Sequence, residues 1–147
     1  MGELMTATHN FGTAPIRAAT TADTFKAALY LASATINAAT TVYSTTNEVT
    51  GTNYTAGGVT VTNATAPIAT NSSTTAGVAY WTSSASITYT TVTLATAFDC
   101  VLIYNSTQSN KAVSVHTFGS QTITAGTFTL TMPSNTTTTA LLRLSTT

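Results

Sequence analysis

The alternation of apolar and polar positions is sharpest between Phe98 and Phe118. Val101-Leu102-Ile103-Tyr104 is the longest apolar run. The polar stretch Asn105–Asn110 follows it, and then Lys111–Phe118, where apolar and polar residues alternate. The pattern predicts a β-hairpin with its tip at Asn105–Asn110. A strand that is apolar on both faces has to be covered on both, which places it in the middle of a sheet.

Towards the N-terminus, Phe25, Ala27, Leu29 and Leu31 alternate with Lys26, Ala28 and Tyr30, which predicts a strand with one apolar face. A helical stripe of Phe25, Leu29 and Ala32 competes with it. Residues 33–41 are rich in Ala and Thr, and a short helix or helical turn is expected there. Between Tyr43 and Val61 the pattern is that of an ordered loop, with turns at Gly51 and at Gly57-Gly58, because glycine reaches positive φ without steric cost. Glu48 stands between Tyr43 and Tyr54, placed to organise that loop by accepting backbone N–H bonds. Val59 and Val61 open a further strand.

Residues 63–77 show no period and read as mostly surface loop. Val78–Thr82 is a short aromatic strand, and Ile87, Tyr89, Val92 and Leu94 mark the next. After the hairpin, Gln121–Thr124 is expected to turn at Ala125-Gly126 into a strand carrying Phe128, Leu130 and Met132 on one face. Pro133 ends it, and residues 138–144 supply the last strand, with Ala140, Leu142 and Leu144 opposite Arg143. About eight or nine strands with turns roughly every ten residues predict an all-β fold, an antiparallel β-sandwich of jelly-roll-like or immunoglobulin-like form. Residues 1–22 break all periodicity and read as an extended N-terminal arm. Residues 23–147 then form a single β-sandwich domain.

Composition strengthens the all-β reading. Threonine is about a quarter of the chain, and only 5% of residues are charged. Threonine is β-branched and favours strands. The Lys, Glu and Arg that usually coat exposed helices are nearly absent. A formal net charge of zero leaves no basic surface for a phosphate backbone, so no nucleic-acid partner is expected. A neutral surface also repels its own copies weakly and favours assembly over free diffusion. The single cysteine excludes an intrachain disulfide. No apolar run approaches the ~18 residues of a membrane helix, so no membrane partner is expected. The N-terminus lacks the basic and apolar regions of a secretory leader. It matches a loose myristoylation pattern, Met1-Gly2 with Thr6, that no basic residue supports.

Candidate chemistry is sparse. Asp99, Cys100 and His116 fall in the hairpin and invite a nucleophile-and-base reading. On an ideal ladder, however, Asp99 and Cys100 point to opposite faces, and no second acid or nucleophile elbow accompanies them. They read as core residues: no catalytic residue is assigned and the chain is not expected to be an enzyme. His9 and His116 have too few acidic neighbours for a metal site, so neither metal nor cofactor is expected. Tyr80 and Trp81, with Tyr43, Tyr54 and Tyr89, suggest a sugar-stacking platform, but aromatics in a β protein more often fill a core or an interface. Asn-x-Ser/Thr sequons begin at Asn53, Asn63, Asn71, Asn105 and Asn135. In so Ser/Thr-rich a chain they are a compositional consequence.

Three stretches carry a resemblance: Phe25-Lys-Ala-Ala-Leu-Tyr-Leu31, the block from Tyr43 to Val59 with its Asn47-Glu48-Val49 and Gly57-Gly58-Val59, and the run from Ala97 to Ala112. Together they resemble a family of small structural proteins of tailed bacteriophages, encoded beside the major capsid protein, with the similarity spanning roughly Asp23 to Leu144. The resemblance brings no catalytic motif. It implies a virion protein, a capsid decoration (cement) protein that binds the outer surface of a phage head and stabilises it. Its partners would be the major capsid protein and further copies of itself, most simply as a homotrimer. Its place would be the capsid surface, after assembly in the host cytoplasm. The alternative is a receptor- or glycan-binding virion module of a tail or head fibre, contacting through residues 63–77 and 105–110.

Overall fold

The computed structural model describes residues 23–61, 68–69, 77–82 and 86–145. The expected arm, His9 and most of the stretch 63–77 lie outside them. Seven strands follow in order: β1 (Phe25–Leu31), β2 (Val59–Val61), β3 (Ile68–Ala69), β4 (Val78–Trp81), β5 (Ser86–Asn105), β6 (Lys111–Thr131) and β7 (Leu142–Ser145). All pairings are antiparallel, in a four-stranded sheet of order β2-β1-β5-β6 and a three-stranded sheet of order β3-β4-β7. The described residues are all-β, with no helix.

The apolar run of β5 lies between β1 and β6, with Val101 opposite Leu29 and His116. Both its faces are buried. Phe25, Ala27, Leu29, Val101 and Ile103 join one core, and Ala28, Tyr30, Cys100, Leu102 and Tyr104 join another on the opposite side. β1 therefore has two buried faces rather than one, because strands flank it on both edges and each side of the sheet is covered. Trp81 of β4 and Leu142 of β7 cover the first core, and Trp81 stands 6.1 Å from Phe25. Ala34, Ile36 and Tyr43 cover the second.

Four local expectations are corrected. Residues 33–41 form turns closed by Ala34 N–H to Leu31 O and Thr40 N–H to Asn37 O, without a helix. The Asn37 and Thr40 side chains bond nearby backbone N–H groups and so compete with helical pairing. The stretch read as loop contains β3, which pairs Ile68 with Tyr80. The last strand begins at Leu142, because Thr136 Oγ1 accepts the N–H groups of Thr138 and Thr139 and holds them in a turn. Finally, Ala125-Gly126 does not end a strand.

That last correction shapes the molecule. β5 and β6 are continuous strands of 20 and 21 residues, but their register shifts repeatedly between Tyr89 and Phe98. Thr91 (φ 53°) and Ala125 (φ 47°) take left-handed backbone there, and Thr93 Oγ1 accepts the N–H of Ala125 at 3.0 Å. Bulges of this kind bend a ribbon and increase its twist. The ribbon folds over itself: Phe128 packs at 5.1 Å from Phe98 and 5.4 Å from Phe118. Tyr89, opposite Phe128, reaches across to donate its hydroxyl to Ala27 O at 2.8 Å. One half of the hairpin thus lids the core that the other half floors.

Candidate functional site

The trio in the hairpin is kept apart. Asp99 has no register partner on either neighbour and sits in a bulge between Phe98 and Cys100. Cys100 lies opposite Thr117 on the Leu102 face, whereas His116 lies opposite Val101 on the other. Burial pushes the Cys100 thiol up to about 11, with the Asp99 charge adding to it, so the nucleophilic thiolate is suppressed. Burial lowers the His116 pKa, and its Nε2 pairs with Ser114 Oγ at 2.9 Å. Among the described residues no cluster of three or more His, Cys, Asp or Glu is placed to hold a metal ion.

Several of the aromatic residues are packed against one another or into the core. Trp81 is only 2% exposed. Tyr43 spends a face on Tyr104, with centroids 4.5 Å apart and 12° between planes, and Tyr54 stacks on Tyr89 at 6.0 Å. Packing thus takes up Trp81 and one face each of Tyr43, Tyr54 and Tyr89. An open cleft of about 140 Å³ lies between residues 53–55, 58–59 and 88–90, with Asn53, Thr55, Thr88, Thr90, Tyr54 and Tyr89 among its lining.

The polar residues are committed to two clamps, each centred on a buried carboxylate. The first is Glu48. Its Oε1 accepts the Tyr54 hydroxyl and the Gly57 N–H, both at 2.7 Å, and its Oε2 accepts the Tyr43 hydroxyl at 2.6 Å. Tyr54 also accepts the Leu29 N–H at 3.0 Å, and Tyr104 donates to Gly57 O at 2.9 Å. The loop from Tyr43 to Val59 is thereby tied to β1 and β5. The expected role of Glu48 is met, with two phenols joining the backbone donor. Burial, reinforced by the bond to Glu48, raises the pKa of both Tyr54 and Tyr43, which keeps these phenols protonated as donors.

The second clamp holds the hairpin tip. Asp23 accepts from Asn105 Nδ2 at 2.8 Å and from Gln108 Nε2 at 3.1 Å. Asn105 Oδ1 in turn accepts the N–H groups of Thr107 and Gln108 and shapes the turn. Ser106 donates its N–H to Thr24 O, and the Thr24 N–H donates to Thr107 Oγ1, both at 2.9 Å. The buried Asn105 amide is committed to Asp23, which removes that sequon as a glycosylation site. The clamp joins residues far apart in sequence, and no local pattern announces it.

Two features meet at this clamp: the tip Asn105–Asn110, with Thr107, Ser109 and Asn110 exposed, and Asp23, where the described residues begin. They lie side by side. Compared with protein-family models, with curated proteins and with solved structures, the chain shows no match.

Proposed function

We propose that the chain is a structural virion protein, a capsid decoration protein that binds the outer surface of a phage head and stabilises it. In this reading the two sheets and the folded ribbon form an antiparallel β-sandwich, and the partners are the major capsid protein and further copies in a homotrimer. The observation that carries the reading is the clamp between Asp23 and the hairpin tip. It fixes the root of the N-terminal arm beside an exposed polar loop on a rigid support, so that arm and loop meet a neighbour together. The zero formal net charge and the resemblance of Phe25–Leu31, Tyr43–Val59 and Ala97–Ala112 to phage structural proteins agree with it. So does the commitment of Cys100, Glu48 and the tyrosines to packing and internal hydrogen bonds rather than to an open site.

Each copy then needs only modest affinity for the shell. Once one contact around a symmetry axis is made, the later ones are intramolecular and avidity rises. The test is attachment of the full chain and of a chain lacking residues 1–22 to purified heads, followed by a salt or heat challenge. Loss of the truncated protein from the shells is expected. Full occupancy by the truncated protein after the challenge would sink the role given to the arm, and failure of the full chain to bind any head would sink the reading.

A further inference from the structure

The open cleft between the Tyr43–Val59 loop and β5 stands apart from the two clamps. Asn53, Tyr54 and Thr55 line one wall, and Thr88, Tyr89 and Thr90 line the other. The walls are stitched together beside it: Asn53 Nδ2 donates to Thr91 O at 2.9 Å, and the Thr93 N–H donates to Thr52 O at 3.1 Å. Asn53 (φ 60°) and Thr91 (φ 53°) both take left-handed backbone at this stitch. For a β-branched residue such as Thr91 that is an outlier. Strained backbone persists where the surroundings over-determine it, and it gathers at ligand-binding sites. The stitch holds the cleft preformed, so a ligand meets little ordering cost there.

The chemistry of the lining selects the ligand. Thr82, Thr93, Thr107 and Thr136 each use their hydroxyl oxygen to accept a backbone N–H. The hydroxyls of Thr55, Thr88 and Thr90 have no such bond among the described residues, and Asn53 keeps its Oδ1 as an unused acceptor. An apolar ligand would strip water from these groups and leave them unpaired. A charged ligand would find no counter-charge, since no residue lining the cleft is charged. The volume of about 140 Å³ is below the ~300 Å³ at which drug-sized pockets begin and close to the ~150 Å³ of a cavity that accepts benzene. That is room for one six-membered ring. We infer that the cleft binds a single neutral pyranose ring, whose hydroxyls exchange hydrogen bonds with Thr55, Thr88, Thr90 and Asn53 Oδ1. Threonine suits this ligand because its hydroxyl, like those of the sugar, both donates and accepts. The inference does not rest on attachment to a phage head, and its test needs no capsid.

The test titrates the isotope-labelled full chain with the methyl glycosides of glucose, galactose and mannose and follows its amide resonances. At least one glycoside is expected to give saturable shifts confined to residues 53–59 and 88–91, with a dissociation constant in the millimolar range, because each new hydrogen bond replaces one to water. Glucuronate should bind no more tightly than that glycoside, and glycerol should give no saturable shift. Thr88→Val and Thr90→Val keep β-branched side chains for the strand and remove the hydroxyls. Combined, they should weaken binding about tenfold or more, whereas Thr122→Val, exposed on β6, should leave it unchanged. An unchanged thermal midpoint reports that each variant is folded. The titration of the native chain is decisive by itself: no saturable shift at the cleft with any of the glycosides overturns the inference, and so do shifts centred elsewhere or a preference for glucuronate. Glycerol shifts that saturate alike would mean unspecific polyol solvation and overturn it too. Unweakened binding by the folded Thr88/Thr90 variant would remove the hydroxyls from the site and overturn it as well.

Discussion

Phe118 and Phe128 stand on the same uninterrupted strand, and their ring centroids are 5.4 Å apart. A straight strand would separate them by about 33 Å. The distance measures the fold of the ribbon: β6 bends back until one half covers the other, and Phe98 completes the aromatic cluster at 5.1 Å from Phe128 and 6.0 Å from Phe118.

If that contact closes the core, Phe128→Ala should cost about 2–4 kcal/mol, the lower part of the range for a large-to-small core change because Phe128 is half-buried. Thr129→Ala, exposed on the same strand, should stay within about 0.5 kcal/mol. A Phe98/Phe128 double-mutant cycle in urea should return a coupling of about 1 kcal/mol. Strict additivity would mean that the two halves of the ribbon do not support one another.

The Glu48 clamp predicts a graded series. Glu48→Ala strips acceptors from two phenols and the Gly57 N–H, and should cost about 3 kcal/mol or more. Glu48→Gln keeps one carbonyl for Tyr54 and Gly57 and offers an N–H to the Tyr43 oxygen, so about 1 kcal/mol is expected. Equal losses in the two variants, measured by denaturant unfolding, would show that the geometry of the acceptors is immaterial.

Two glycines should behave in opposite ways. A Cβ at Gly58 would stand 1.7 Å from Ala27 O, on backbone with φ +71°, so Gly58→Ala should cost more than about 3 kcal/mol or prevent folding. Gly119→Ala, which meets open space, should change stability by no more than about 0.5 kcal/mol. Soluble yield and thermal midpoint separate the two outcomes.

Stability should fall on both sides of neutrality. Burial raises Tyr30 from 10.0 to about 12 and Cys100 from 9.0 to about 11. Between those values the unfolded chain releases protons that the folded chain keeps, so stability is complete below about pH 9 and declines as pH rises towards 12. His116 is shifted downward by burial from 6.5, so the unfolded chain binds its proton first as pH falls. Its contribution is complete above pH 6.5 and is lost on acidification. Urea midpoints from pH 4 to 11 should show both declines, and His116→Gln should flatten the acid side alone. A thiol reagent at pH 8 should modify Cys100 only as fast as the protein unfolds.

Much of the layout was legible in sequence because it depends on side chains a few residues apart. The two-sided apolar run at Val101–Tyr104 put β5 inside a sheet, the polar break at 105–110 marked the hairpin, and Gly57-Gly58 marked backbone at positive φ (92° and 71°). Glu48 was recognisable as a loop organiser because a lone acid between tyrosines in an apolar context has to find donors. The turns at 33–41 and 136–139 were misjudged where hydroxyl and amide side chains bond the backbone more favourably than it bonds itself.

The tertiary structure alone decided the rest. Whether Ala125-Gly126 ends a strand or bends one depends on what the far half of the ribbon can pack against, and Phe98 and Phe118 supply that contact across the fold. The aromatics read as core or interface ahead of a platform, but only the fold shows which rings pack on which: Phe25 with Trp81, Tyr43 with Tyr104 and Tyr54 with Tyr89. Asp23 and Asn105 carry no mark of each other in the sequence, and only the pairing of β1 with β5 brings carboxylate and amide to 2.8 Å. Local periodicity dictates which residues form strands and which face each presents. The long-range packing free energy, summed over contacts that no short window contains, dictates how those strands bend and what they cover.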